Sequence, residues 1–153
     1  MILGRTGDVD ATISNAIASS PNDVTFLRDM INFYASQGRI PMALEVAMTL
    51  QKSQPDQWDV PFTIAKYKLI SGDHDSAMND IRRAVQLGGN TALQQIGREQ
   101  IFQQLSSDPA FQEAVQSGMQ TQLGTSVTNA LESLGKGGDG FSSQGSRLPK
   151  KKN

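Results

Sequence analysis

The sequence lacks cysteine and contains a single histidine, and both shortages exclude kinds of chemistry. With no Cys among 153 residues, disulfide scaffolds, Cys-ligated zinc and thiol catalysis are excluded. The lone His74 excludes a multi-histidine metal site. Asp73 and Asp75 flank His74, but no nucleophile pattern accompanies them. We therefore expect no enzymatic activity, no metal, no cofactor and no small-molecule substrate.

The sequence also lacks an excess of positive or negative charge. The 14 Lys and Arg residues nearly balance 15 Asp and Glu, which leaves a net charge of −1. A dedicated nucleic-acid binder normally has a basic excess, so this balance disfavours nucleic acid as a partner. No run of about 20 apolar residues is present, so we expect no membrane insertion. The chain start also lacks the pattern of a signal peptide, and we expect a cytoplasmic protein.

Helical signals punctuate most of the chain. Asn22 or Asp23 predicts an N-cap, Gly38 and Gly72 predict helix ends, and Pro41 suits the first turn of a helix. No segment alternates apolar and polar residues with period two, so the fold class predicted is all-α, without a sheet. The predicted helices span residues 10–19, 23–37, 41–53, 58–71, 74–87, 91–105, 109–117 and 119–134.

The helical segments repeat with a period of 34 residues. At this shift Gly38 falls on Gly72 and Ala43 falls on Ala77. Small or apolar residues recur where two helices of a hairpin would touch, which indicates a helical repeat. The other pairs at this shift are Met30–Ile64, Ile31–Ala65, Phe33–Tyr67, Ala47–Ile81 and Leu50–Ala84.

This period and pattern resemble the tetratricopeptide repeat (TPR) family. Residues 24–57 match its motif at Leu27, Met30, Ile31, Tyr34, Gly38, Ala43, Ala47 and Pro55. Residues 58–91 match it at Pro61, Ile64, Ala65, Gly72, Asp73, Ala77, Ile81 and Ala84. The resemblance implies antiparallel helix hairpins stacked into a TPR-like α-solenoid.

The predicted domain covers residues 1–134. It comprises a partial repeat over 1–23, the two repeats over 24–57 and 58–91, and closing helices over 92–134. Because residues 1–23 resemble the second half of a repeat, the face that an earlier helix would cover is bare. We expect this N-terminal face to take part in a larger assembly.

The last predicted helix carries an apolar stripe that includes Met119, Leu123, Val127, Leu131 and Leu134. One interpretation is a capping helix that covers the last apolar face of the repeat domain. The other is an amphipathic helix donated to a partner's groove. A helix on a membrane surface is disfavoured, because the polar face has almost no Lys or Arg.

Residues 135–153 differ from the rest in composition. They are rich in Gly and have little apolar surface to bury, which predicts a disordered tail. The tail also contains Arg147, Lys150, Lys151 and Lys152, and this cluster leaves open a tail-mediated association with nucleic acid.

The resemblance also implies a binding surface, because the first helix of each TPR hairpin lines a concave face. Arg28 and Asn32 lie one helical turn apart, and cation plus amide can hold a carboxylate, as in part of the carboxylate clamp of chaperone-binding TPR proteins. Apolar residues on the second repeat indicate either a ligand strip or coverage by a neighbouring helix. The predicted partner-binding residues are Arg28, Asn32, Phe62, Lys66, Leu69 and Ile70.

These patterns predict a non-catalytic scaffold for protein–protein interaction that binds a protein or peptide partner on its concave face. Two alternatives remain open from the sequence. One is a structural accessory subunit or fragment that is permanently docked in a larger assembly. The other is the nucleic-acid association through the basic tail.

Overall fold

A computed structural model describes residues 5–135 of the chain, and every regular element in this range is an α-helix. The all-α prediction is therefore confirmed for these residues. The predicted disordered tail lies outside them, except for Gly135, which ends the last helix. The helices are α1 (Arg5–Ser19), α2 (Val24–Ser36), α3 (Ile40–Ser53), α4 (Asp59–Ile70), α5 (His74–Arg98), α6 (Gln100–Gln103) and α7 (Pro109–Gly135).

The helix ends follow local rules. The side chains of Asp23 and Asp73 each accept a hydrogen bond from the backbone N–H three residues later, at 3.0 and 3.3 Å. Gly38 and Gly72 follow α2 and α4 with φ values of 69° and 84°, which residues with a side chain rarely adopt. Pro41 lies in the first turn of α3. These five positions therefore set boundaries that the sequence predicts.

Other boundaries differ from the prediction. Gly118 continues the helix instead of ending it, so the helices predicted over 109–117 and 119–134 form one element, α7. Glu99 has an extended conformation and separates α5 from α6, where one helix was predicted. Inside α5, Gly89 has φ 50° and ψ −128° and forms a kink, which agrees with the break predicted between the helices over 74–87 and 91–105.

Consecutive helices pack against one another, α2 on α3, α3 on α4 and α4 on α5. The central α4 is buried on two sides. Its Val60 and Ile64 join the core cluster formed with α2 and α3. Its Ala65 and Leu69 join a second cluster, formed with α5, α6 and the start of α7. The side chains of α4 thus link the two cores.

The chain divides into two compact units. The first unit ends at Gln122 and contains both core clusters. The second begins at Leu123, and its described part is the helical segment from that residue to Gly135. The apolar stripe predicted for a capping helix is exposed over this segment, from 58% at Val127 to 75% at Leu134.

Arg39 fastens α1 to the turn between α2 and α3. Its guanidinium donates to both carboxylate oxygens of Asp10, one of them at 2.6 Å, and lies 5.2 Å from the ring centre of Tyr34. The hydrogen bond from Arg39 lowers the pKa of the Asp10 carboxyl, and outweighs the opposing effect of burial. The pair therefore stabilises the fold only while Asp10 is ionised.

We expect this pair to make stability depend on pH in the acid range. Because folding lowers the pKa of Asp10 from 3.8, the contribution is complete above that value. It is lost as the pH falls through the lower pKa of the folded state. Urea unfolding of the wild type, Asp10→Asn and Arg39→Gln as a function of pH measures the effect. Both variants should lose less stability on acidification, and curves parallel to the wild type would contradict this role for the pair.

Candidate functional site

A cavity of about 300 Å³ opens between α2, α3 and α4, and we call it the groove. Four of the predicted partner-binding residues line it, namely Arg28, Asn32, Phe62 and Lys66. Each helix contributes two of them, one turn apart, so that α2 and α4 present them to the same space. The other lining residues are Ile31, Ala47, Leu50, Val60, Thr63, Tyr67 and Glu99.

The remaining predicted residues do not line the groove. Leu69 is 6% exposed and belongs to the core cluster between α4, α5, α6 and α7, whereas Ile70 is 49% exposed outside the groove. Phe62 lines the groove but is only 8% exposed, with its ring centre 5.3 Å from that of Phe102 and 5.9 Å from that of Trp58. Neighbouring residues thus cover Phe62 and Leu69. The sequence had left two alternatives open for these residues, a ligand strip or coverage by a neighbouring helix.

Both cations of the groove are paired within the chain. The guanidinium of Arg28 lies 2.6 Å from a carboxylate oxygen of Asp59, and this pair joins α2 to α4. The ammonium of Lys66 lies 2.9 Å from a carboxylate oxygen of Glu99, between α5 and α6. The four side chains are 28–42% exposed. Water screens such pairs, so each contributes about 0–1 kcal/mol to the free energy of unfolding.

Asn32, Thr63 and Tyr67 supply the neutral polar groups of the groove, and the Thr63 hydroxyl donates to the backbone oxygen of Asp59 at 2.8 Å. Asn32 is exposed and lines the groove, and within the part of the chain that the structure describes its carboxamide has no hydrogen-bond partner. The carboxamide is therefore available to a ligand. Burial raises the pKa of the Tyr67 hydroxyl, and the negative charge of Glu99 raises it further. The hydroxyl is therefore protonated at neutral pH and is able to donate.

Sequence reasoning missed Glu99 and did not assign Tyr67 to the groove. Glu99 lies beside Lys66 because the helix breaks between α5 and α6. No local signal marks this break, because one continuous helix over 91–105 satisfies the same pattern. Tyr67 was interpreted as a packing residue of a helix hairpin, and its burial at 8% exposure agrees with that role. Its position on the groove lining adds a second role that spacing did not indicate.

The groove offers groups for binding. Its lining combines two cations held in ion pairs, one amide, one phenol, one hydroxyl and several apolar side chains. Across residues 5–135, no three His, Cys, Asp or Glu side chains are grouped to hold a metal ion. Nor does a helix in that range have the length and hydropathy to cross a membrane.

Comparison with protein families, with curated proteins and with solved structures gave no match for this chain. The TPR assignment therefore stays a prediction that depends on the 34-residue pattern.

Proposed function

We propose that this chain is a non-catalytic interaction module that binds an extended segment of a partner protein in the groove. The observation that carries the proposal is the convergence of Arg28, Asn32, Phe62 and Lys66 on one cavity. The resemblance to TPR proteins predicted these residues for a binding face, and they come from helices separated by more than 20 positions. The sequence pattern and the cavity thus indicate the same surface.

The proposal includes the TPR-like arrangement of the helices. Positions that are equivalent at the 34-residue shift share their environment. Gly38 and Gly72 both follow a helix with positive φ, and Ala43 and Ala77 both have 0% exposure. A hairpin needs a left-handed residue at its turn and a small residue where its helices touch. These similarities support a repeat with α2 and α4 as the first helices of consecutive hairpins.

The groove chemistry suits a peptide backbone with an apolar side chain. The Asn32 carboxamide both donates and accepts, which matches the C=O and N–H of a peptide unit. Ile31, Leu50 and Val60 supply apolar lining for a side chain of the partner. A cavity of this size is at the lower end of the range for ligand sites, and it accommodates a short segment.

Arg28 and Lys66 give the groove a preference for ligands that contain a carboxylate. A ligand carboxylate can replace Asp59 beside Arg28, or Glu99 beside Lys66, and form a charge-assisted hydrogen bond in its place. The exchange costs little because each exposed internal pair contributes only about 0–1 kcal/mol. We therefore expect acidic side chains or a free carboxyl terminus among the preferred ligands.

Removal of the Asn32 carboxamide is expected to weaken peptide binding about fivefold, since one hydrogen bond contributes roughly 1 kcal/mol to affinity. The measurement begins with phage display of random peptides on the immobilised full chain. A selected peptide is then titrated against the wild type and Asn32→Ala. Asn15→Ala is the matched control, because Asn15 lies exposed on α1 and outside the groove.

Equal affinities of the wild type and Asn32→Ala for every selected peptide would contradict binding in the groove. Selection of no peptide at all would favour the alternative of a structural subunit that is permanently docked in a larger assembly. Phe62 and Leu69 are unsuitable targets, because substitution of such buried residues perturbs the core. The nucleic-acid alternative depends on Arg147 and Lys150–Lys152, which lie outside the described residues.

A further inference from the structure

The apolar stripe of the second unit is exposed to solvent. Leu123, Val127, Leu131 and Leu134 are 58–75% exposed, more than any other large apolar side chain of residues 7–134. Single exposed apolar residues are normal on protein surfaces, but a contiguous apolar helix face marks an interaction site. This face shares no residue with the groove.

The spacing within this stripe is that of a helix–helix seam. Leu123, Val127, Ala130 and Leu134 follow one another at intervals of four, three and four residues. Such intervals keep side chains on one face of a supercoiled helix, as at the a and d positions of a heptad. The order of intervals is the same in both directions, so the seam is complementary to its own reverse.

We propose that two copies of this chain associate through residues 123–134, with the two helices antiparallel. Reversal about the midpoint between Thr128 and Asn129 places Leu123 of one copy against Leu134 of the other. It also places Val127 against Ala130. Each seam residue then meets a seam residue of the second copy, which is the self-complementary contact of a two-fold dimer.

Side-chain volumes favour the antiparallel pairing. In a parallel dimer, Ala130 would face Ala130 of the second copy and leave a gap in the seam. In the antiparallel dimer, the small Ala130 faces the larger Val127, so that no level of the seam pairs two alanines.

The charge distribution of the chain favours a second copy as the occupant of the stripe. Residues 1–122 contain nine Lys or Arg and thirteen Asp or Glu, whereas residues 123–153 contain five and two. The two parts of the chain therefore have net charges of opposite sign, which favours association between copies. The seam segment itself has one charged residue, Glu132, so few charges must be desolvated when the helices meet.

The experiment measures the mass of the full chain by light scattering over a range of concentrations. A seam of four residues per helix buries a small interface, so we expect a dimer with a micromolar dissociation constant. Val127→Asp should weaken this dimer at least about a hundredfold, because the change removes two apolar contacts per dimer. Asn129→Asp introduces the same residue on the opposite face of the helix and should leave the dimer intact. Equal helix content of both variants by circular dichroism excludes unfolding as the cause.

Cysteine cross-linking distinguishes the two orientations, and the absence of native cysteine makes it clean. In the antiparallel dimer, Leu123→Cys and Leu134→Cys should each form few disulfides alone and many when mixed. Efficient disulfide formation by Leu134→Cys alone would overturn the antiparallel pairing. A monomer at every concentration, or a dimer that survives Val127→Asp, would overturn the proposal. A monomer that binds phosphatidylserine vesicles through Val127 would assign the stripe to a lipid surface instead.

Discussion

Phe102→Ala is expected to lower the free energy of unfolding of the first unit by about 3–5 kcal/mol. The side chain is 1% exposed, and its ring centre lies 5.3 Å from that of Phe62 and 6.4 Å from that of Phe111. It therefore connects α4 to α7 from the short helix α6. Truncation removes the ring and leaves a cavity where α4, α6 and α7 meet. The total free energy of unfolding of a domain is about 5–15 kcal/mol, so this loss is a large share of it.

The measurement is urea unfolding followed by the fluorescence of the single tryptophan, Trp58. This residue reports on the same region, because its ring centre is 5.9 Å from that of Phe62. Ile70→Ala is the matched control, since Ile70 is 49% exposed and its truncation should cost less than about 1 kcal/mol. Similar losses for the two variants would contradict the assignment of Phe102 to the centre of the second core.

Gly118→Ala is expected to destabilise the first unit by about 1–3 kcal/mol, although alanine is the better helix former. A Cβ atom at this position would lie 2.7 Å from the backbone oxygen of Arg82 and 2.8 Å from the Cβ of Val85. Neither atom is the end of a flexible side chain, so α5 and α7 must move apart. The packing cost therefore exceeds the gain in helix propensity.

Gly97→Ala is the control for helix propensity in the same unit. A Cβ atom at Gly97 would meet nothing within 4 Å, and the residue lies in the last turn of α5. This change should raise the free energy of unfolding by up to about 1 kcal/mol. Opposite signs for the two glycine variants are the expected result. If Gly118→Ala were also stabilising, the close contact between α5 and α7 would be absent in solution.

Local chemistry explains which parts of the fold were predictable. Asp23 and Asp73 cap helices, and Gly38 and Gly72 end them, through interactions within three or four residues. The sequence alone contains such information, so α2, α3 and α4 lie within a few residues of the prediction. Gly118 has no comparable local signature, because glycine is compatible both with a helix end and with close packing inside a helix.

The candidate site was likewise predictable only in part. One-turn spacing predicted that Arg28 and Asn32 share a face of α2, and that Phe62 and Lys66 share a face of α4. Spacing did not show that Asp59 and Glu99 pair with the two cations. A partner 31 or 33 residues away becomes visible only when the helices are packed.

The sequence by itself determined the helical class, most helix ends and the two helix faces that line the groove. These properties depend on backbone propensity and on side-chain period, which act within one or two turns. The tertiary structure decided that Leu69 is core and that the stripe from Leu123 to Leu134 is bare. An apolar residue at helical spacing carries the same signal whether a neighbour covers it or solvent does. Burial is a property of the packed helices, and only their contacts distinguish a core face from a binding face.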